Sequence, residues 1–593
     1  MISDLLRKKS LDEILAAPEE GHGPTLKRNL SVWALTALGV GAVIGAGIFS
    51  TVGTAAAGGA DHVGAGPAII LSFVLTAIAC SFAALCYAEL SSMVPISGSA
   101  YTYSYATLGE LVAWIIGWDL IIEYAVGNIA VAISWSGYFQ ELLRGFGLHW
   151  PSWLGIDYRS AAQASAQVAA VRAAGGDPLS ELGASVVRMA QSLDGAPHVG
   201  ALPVVFNLPA FLIVMLITVI LVRGVRESAS FNNWMVGLKL GIIAFFAIFG
   251  AFYVKPENWH PFAPNGFHGI ASAAAIIFFA YIGFDAVSTA AEESRNPQRD
   301  MPRAILGSLA VCTVIYIAVA AVLTGMLHWN QLGTAEPLAT AFSNLGMNWP
   351  ALVISLGAVF ATTSVLLVFQ LGQPRIFFSM GRDGLLPSWA AKVHPKFHTP
   401  YVTTWMTGWF VALLAGVANI DEIVQLTNIG TLFAFVLVCF GVIVLRRKDP
   451  DRVRPFRVPG GTWLVPILGS LCCVFLMVYL PPASWWRFVG WLVLGASIYC
   501  LYGFSNSVIG RRAGRSPVTP GFMKAMGAGF FVAAMGLFVV PHNAGPRQLL
   551  ALAGEDGAIG HGRAQFGLLM VAAGLVVAAI GALAGGSRRS NPS

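Results

Sequence analysis

The stretch GVGAVIGAGIFSTVG, Gly39 to Gly53, places glycines at Gly39, Gly41, Gly45, Gly47 and Gly53 inside an apolar run that begins near Val32. Glycine costs about 1 kcal/mol relative to alanine in a helix interior. A helix of membrane-spanning length with so many glycines near its middle is not built for helical strength. Around Gly45, Ala46 and Gly47 such a helix can stop and restart. The restarted half, from near Ile48, offers unpaired N–H groups and the positive end of its dipole, which suits a carboxylate. The carbonyls that end the first half, near Val43 and Ile44, suit an ammonium group. A second reading needs no ligand at all. Gly41 and Gly45 have the spacing of small residues that lets two helices pack closely.

The rest of the chain sets the solvent. Of 593 residues 56% are hydrophobic and 11% charged, too little charge to cover a soluble surface of this size. Apolar windows of about 20 residues recur throughout. They fall at 32–57, 65–93, 111–139, 204–222, 231–254, 269–291, 304–328, 350–378, 401–419, 423–445, 463–480, 485–506, 523–540 and 565–584. The expected fold is an all-α polytopic membrane protein of about fourteen transmembrane helices, here numbered spans one to fourteen.

With the N-terminus inside, 26 of the 35 Lys and Arg residues fall in cytosolic loops and 8 outside, a strong positive-inside bias. The net charge of +6 is therefore topological and implies no nucleic acid. Residues 1–30 are too charged for a signal peptide. They read as a cytosolic segment, either a disordered tail or a short interfacial helix striped by Ile2, Leu5, Leu6, Leu11, Ile14 and Leu15. The longest loop, 140–203, is Ala-rich and external, and reads as a partly ordered cap or a disordered insertion. The seven cysteines lie in apolar spans without a CxxC pair, as small hydrophobes.

A second interruption lies in span six, AIIFFAYIGFDAVSTAAEES, Ala275 to Ser294, with Gly283 at its centre and Asp285 after it. Spans one and six run in opposite directions, and each opens a group of five. Broken helices at matching positions of two inverted halves point to an inverted-repeat transporter with its substrate at the midplane. Carbonyls of Phe279, Ala280 and Ile282 can then complete the ammonium shell begun at Val43 and Ile44. One site would hold both charges of an α-amino acid, and with two breaks this reading outweighs simple helix packing. The domains expected are residues 31–255 and 268–446 as the two repeats, 462–585 as four further helices, and 586–593 as a cytosolic tail.

Two ionisable residues within spans bear most on the site. Lys239 lies in FNNWMVGLKLGIIAFF of span five. A lysine there is functional by default, with snorkelling to the cytosolic edge as the alternative. Glu123 lies in GWDLIIEYAVG of span three, one turn after Asp119. It can reach toward a substrate ammonium or pair with Lys239, or form a structural ion pair only. Glu89, Asp285, Glu292 and Glu293 read as inner-gate partners for Arg223, Arg226, Arg375 or Arg382, with surface pairing as the alternative. Thr362 and Thr363 interrupt span eight and can simply bond the preceding turn.

The segments GAVIGAGIF, FFAYIGFDAVSTAAEESRNPQRDMPRAI and PRIFFSMGRDGLLP resemble the amino acid–polyamine–organocation superfamily, and within it the cationic amino acid transporters and their bacterial relatives. The resemblance covers roughly residues 26–506; the long external loop departs from it. It implies a five-plus-five inverted-repeat (LeuT-like) core with helices one and six broken, often with fourteen spans, and amino-acid transport by alternating access. It also implies that the Lys239 ammonium fills the volume sodium occupies in sodium-coupled cousins and bridges spans one, five and eight. The DLxxEY context supports a site role for Glu123, and residues near Thr363 line the side-chain pocket in relatives.

An enzyme would need a metal cluster or an activated nucleophile within the spans, and a channel a polar ring repeated by oligomeric symmetry. The sequence has neither pattern. It predicts a proton-coupled symporter of cationic or small neutral amino acids in the plasma membrane, with both termini cytosolic. The substrate site comprises Val43, Ile44, Gly45, Ala46, Gly47, Glu123, Phe279, Ala280, Ile282 and Thr363, with Lys239 for proton coupling. No cofactor, metal or sodium site is expected. The partners are an amino acid and the lipid bilayer, and an accessory small membrane subunit stays open. An exchanger, or a non-transporting sensor of the same fold, is the alternative.

Overall fold

The computed structural model describes residues 5, 7–8, 30–59, 62–93, 99–200, 202–224, 229–285, 287–288, 294–516, 518–540 and 561–587. Most of the N-terminal segment, Arg226, Glu292, Glu293 and the C-terminal tail from 588 lie outside them. The described chain is almost entirely helical. A two-residue antiparallel pairing, His198–Val199 with Leu202–Pro203, is its only named sheet.

Span one is a bent pair. Helix α1, Val32–Val43, starts on a Ser31 cap and ends at an extended Ile44. A π turn over Gly47–Thr51 leads into α2, Val52–Ala57, and the two halves meet at 43°. Helix α3 is Ile69–Met93, α4 is Ser99–Thr107, and α5, span three, runs Glu110–Gly145. The long loop after α5 carries α6, Tyr158–Ala173, and α7, Pro178–Asp194. Spans four and five are α8, Leu208–Arg223, and α9, Ala229–Ala251.

The second half begins with α10, Gly266–Ile277, which tightens to a 3₁₀ turn over Phe278–Tyr281 and ends at an extended Ile282. Then come α11, Pro297–Met326, the short α12, Pro337–Asn344, and α13, Asn348–Arg382. Helices α14, Tyr401–Val417, and α15, Ile420–Lys448, close this half. The remainder is α16, Leu464–Val478, α17, Pro482–Ile498, α18, Gly521–Val539, and α19, His561–Ser587.

Among the described residues nine helices, or ten with the bent pair, are long and apolar enough to cross a membrane, and four further apolar helices are 10–17 residues long. Leu216 on α8, Leu413 on α14, Leu471 on α16 and Ile580 on α19 are large apolar side chains left exposed, as lipid contact requires. Helix α15 shows how local sequence fixes an end. Asn419 caps it by accepting from the Asp421 and Glu422 amides, and Arg446, Arg447 and Lys448 stand at its negative C-terminus.

The described part of the long loop after α5 has a core of its own. Ala164 and Val168 of α6 pack on Val186 and Ala190 of α7 in a small separate core. Asp157 caps α6 through the Ser160 amide at 2.9 Å, and Asp177 caps α7. Asn419 Nδ2 bonds Ser160 at 2.9 Å, and Gln331 Nε2 bonds the Ser180 carbonyl at 3.1 Å, fastening this cap to the bundle.

Glu89, at the C-terminal end of α3, corrects the sequence reading. Its partners are Arg446, whose Nε donates at 2.8 Å, the Val458 amide at 2.8 Å, and Arg454 at 3.6 Å. Among the described residues, Arg223, Arg375 and Arg382 of the expected partners take no part. The real partners follow span ten, and only tertiary folding brings that loop beneath α3. Glu110 is likewise held by Arg515 at 2.8 Å, Tyr499 at 2.7 Å and Ser507 at 2.6 Å, tying α5 to the segment after α17.

Candidate functional site

The two interrupted helices meet at their breaks. A Cβ added at Gly47 would fall 2.2 Å from the Cα of Ala280, so only glycine permits this backbone approach. Gly283 has φ +116°, and a Cβ there would lie 2.9 Å from the Ala42 carbonyl oxygen. Glycine is required there for both conformation and space. Ile44 leaves the helical region with ψ 99°, and Ile282 with ψ 133°. Both chains therefore turn their backbone polar groups sideways at the same place.

A helix that stops inside a bundle leaves carbonyls to be satisfied. The Val40 carbonyl accepts from the Ile44 amide at 2.9 Å. The Gly41 carbonyl accepts from Lys239 Nζ at 2.9 Å. The Val43 carbonyl lies 3.0 Å from the Tyr316 hydroxyl, and the Ala280 carbonyl lies 2.9 Å from the same hydroxyl. That hydroxyl has one proton for two acceptors. One carbonyl lone pair at the junction of the breaks is thus always available to another donor. Asn428 of α15 serves the segment just before the second break, its Nδ2 standing 2.8 Å from the Ala275 and Ile276 carbonyls.

Lys239 is buried, 1% exposed, and its ammonium points to the Gly41 carbonyl inside the bundle. It places a positive charge at the C-terminal end of the first half of span one, where the helix dipole favours a cation. Val236, one turn earlier, is the side chain a Cβ at Gly41 would strike, so the glycine brings α1 and α9 close enough for the lysine to reach.

Glu123 is buried and hydrogen-bonded to Thr431 of α15, within the fields of Asp285 and Asp119. It forms no ion pair with Lys239. Both carboxylate oxygens of Asp119 are buried without a hydrogen bond. Thr363 donates to the Val359 carbonyl of its own helix at 2.7 Å and accepts from Trp135 Nε1 of α5 at 2.9 Å. The span-eight side chain against Gly45 is Val365, 3.0 Å from where its Cβ would be.

Tyr316, Asn428 and Val365 were outside the sequence reading. Tyr316 and Val365 are single apolar or aromatic positions within spans and give no local signal. A lone amide such as Asn428 within a span does mark an interhelical bond. Among the described residues no group of His, Cys, Asp or Glu could hold a metal ion.

A model of the amino acid permease family matches residues 30–498, an interval that contains both breaks, Lys239 and Tyr316. The chain belongs to the amino acid permease family. The permease is 46% identical to the methylthioribose transporter of Bacillus subtilis over 510 residues, 86% of this chain and all of that one. It is 46% identical to the branched-chain amino acid permease BcaP of the same organism, over 86% of this chain and 99% of that one. It is also 37% identical to the chloroplastic cationic amino acid transporter 9 of Arabidopsis thaliana, over 75% of this chain and 71% of that one. The permease is accordingly a membrane transporter and not an enzyme.

Proposed function

We propose that this permease carries L-α-amino acids across the plasma membrane by alternating access, coupled to protons, with both termini cytosolic. The observation that supports it most is the contact of Gly47 with Ala280, which sets two helix breaks against each other. The N–H groups of the restarted half of span one would take the carboxylate. The carbonyls of Val43, Ile44, Phe279, Ala280 and Ile282 would take the ammonium, with Tyr316 holding two of them in place. A five-plus-five inverted repeat within fourteen spans is the architecture this mechanism uses, and the bent span one and tightened span six are its two broken helices.

Lys239 is the proposed coupling group. Its ammonium fills the space beside the span-one break and would exclude sodium from it. The substrate side chain is proposed to be cationic or small and neutral. Relatives named for branched-chain and for cationic amino acids support an amino acid. A relative named for methylthioribose makes that sugar a necessary competitor in the test. The decisive experiment is uptake of tritiated leucine, alanine, arginine and lysine into proteoliposomes under an imposed pH or sodium gradient. Accumulation driven by pH alone supports the reading. Sodium-driven uptake, or uptake of methylthioribose and of none of the amino acids, overturns it.

A further inference from the structure

A cavity lies outside the proposed site, between the α6–α7 cap and the outer ends of the bundle. Its volume is about 620 Å³. Thr54 and Ala57, on the half-helix that follows the Gly45–Gly47 break, form part of its wall, with Gly137 and Arg144 of α5. The cap supplies Asp157, Gln163, Gln167 and Arg188, and the segment before α12 supplies Glu336. The cavity is therefore closed by a segment that departs from the family pattern.

Its charged groups divide into those already used and those not. Arg144 pairs with Glu141 at 2.7 Å. Asp157 is bound by the Ser160 amide at 2.9 Å. Asp421 is engaged with a partner. Arg188 bonds the Ser185 hydroxyl one turn back at 3.2 Å, which leaves most of its guanidinium donors unused. Glu336 precedes α12 but its side chain does not cap that helix. The carboxylate instead lies over Gly137, where an added Cβ would fall 2.4 Å from Oε2. Among the described residues Arg188 and Glu336 form no ion pair with each other, although each lies within the other's field. Burial weakens the charged form of Glu336, so a cation that pairs with it would be favoured, and the half-open Arg188 guanidinium keeps donors for an anion.

We infer that this capped vestibule is a second binding site for a zwitterionic α-amino acid, its carboxylate on Arg188 and its ammonium on Glu336. The two protein charges come from different elements with a gap between them, and an α-amino acid presents the complementary charges on one carbon. Lining amides such as Gln163 and Gln167 add donors and acceptors that suit a polar ligand better than a lipid chain. The site stands before the central one on the external route, so it would hold substrate next to the moving half of span one. This inference rests on the amino-acid reading of the central site.

The test is equilibrium dialysis of the purified full-length protein with tritiated leucine and, separately, tritiated arginine, up to saturation. Wild type is expected to bind two equivalents of the preferred probe. Arg188→Gln and Glu336→Gln should each lose one and keep the other, and the exchange Arg188→Glu with Glu336→Arg should restore it. Gly47→Leu, which blocks the central break, should lose the other equivalent. One equivalent in wild type, unchanged by Arg188→Gln and Glu336→Gln and lost in Gly47→Leu, removes the vestibule site and keeps the central one. Two equivalents that survive both charge removals also overturn the assignment. No binding of either probe removes both readings.

Discussion

The ammonium of Lys239 stands 2.9 Å from the carbonyl oxygen of Gly41, one turn before the point where span one stops being a helix. The two residues are 198 apart in sequence. Their bond caps a half-helix with a formal charge in a place closed to water. If that ammonium releases its proton in the cycle, the helix end loses its counter-charge and keeps only a weaker neutral donor. Lys239→Met should abolish accumulation driven by a pH gradient while substrate binding survives in part. Lys239→Arg keeps the charge but does not release a proton at physiological pH. It should behave as Met does in proteoliposome accumulation; wild-type accumulation by Arg would assign Lys239 a fixed-charge role only.

Tyr316→Phe tests the junction of the breaks. The change removes one hydroxyl from between the Val43 and Ala280 carbonyls and keeps the ring. A net hydrogen bond is worth roughly 1 kcal/mol, so substrate affinity should fall about fivefold. Thermal melting with and without amino acid reads this directly, because a ligand at about 100 times its Kd stabilises the folded state by about 2.7 kcal/mol. An unchanged ligand-induced shift would detach Tyr316 from the site.

Gly47→Leu should abolish binding in a protein that still inserts and elutes as a single species. Even a methyl group has no room against Ala280. Undiminished uptake by a well-expressed variant would remove the span-one break from the binding site.

Glu123→Gln separates two roles. If the carboxylate helps hold the substrate ammonium, affinity for every amino acid should fall. If it reads a distal cation, arginine and lysine should weaken and alanine should not. Equal affinities before and after, for both classes, leave Glu123 as a structural residue beside Thr431.

The α6–α7 cap should tighten in acid. Burial pushes the Asp157 carboxyl up to about 6, against an ordinary 3.8. The folded cap then binds a proton that the unfolded cap has lost. Stability falls as pH rises from about 4 through about 6, and is greatest below that window. Hydrogen exchange in 158–173, corrected for intrinsic rate, should be slower near pH 5 than near pH 7. Asp157→Asn should flatten the difference, since an amide still caps the helix.

Much of this permease is legible in one dimension. Composition makes it a membrane protein, because no chain this poor in charge can cover a soluble surface. Glycines at Gly45, Gly47 and Gly283 mark where two helices break, since glycine in a helix interior is costly without a local reason. Lys239 announces itself as an ionisable residue in a span. What the sequence could not supply is which distant groups answer these features. That Lys239 serves Gly41, that Tyr316 lies between two carbonyls, and that Glu89 pairs with Arg446 depend on helices packed from opposite ends of the chain. The Ala-rich loop is the clearest case. Its composition left order and disorder open, and contacts of Asn419 with Ser160 and of Gln331 with Ser180 fasten it over the bundle. Local sequence determines where backbone groups come free; only the tertiary structure decides what satisfies them, because the partners are neighbours in space and not in the chain.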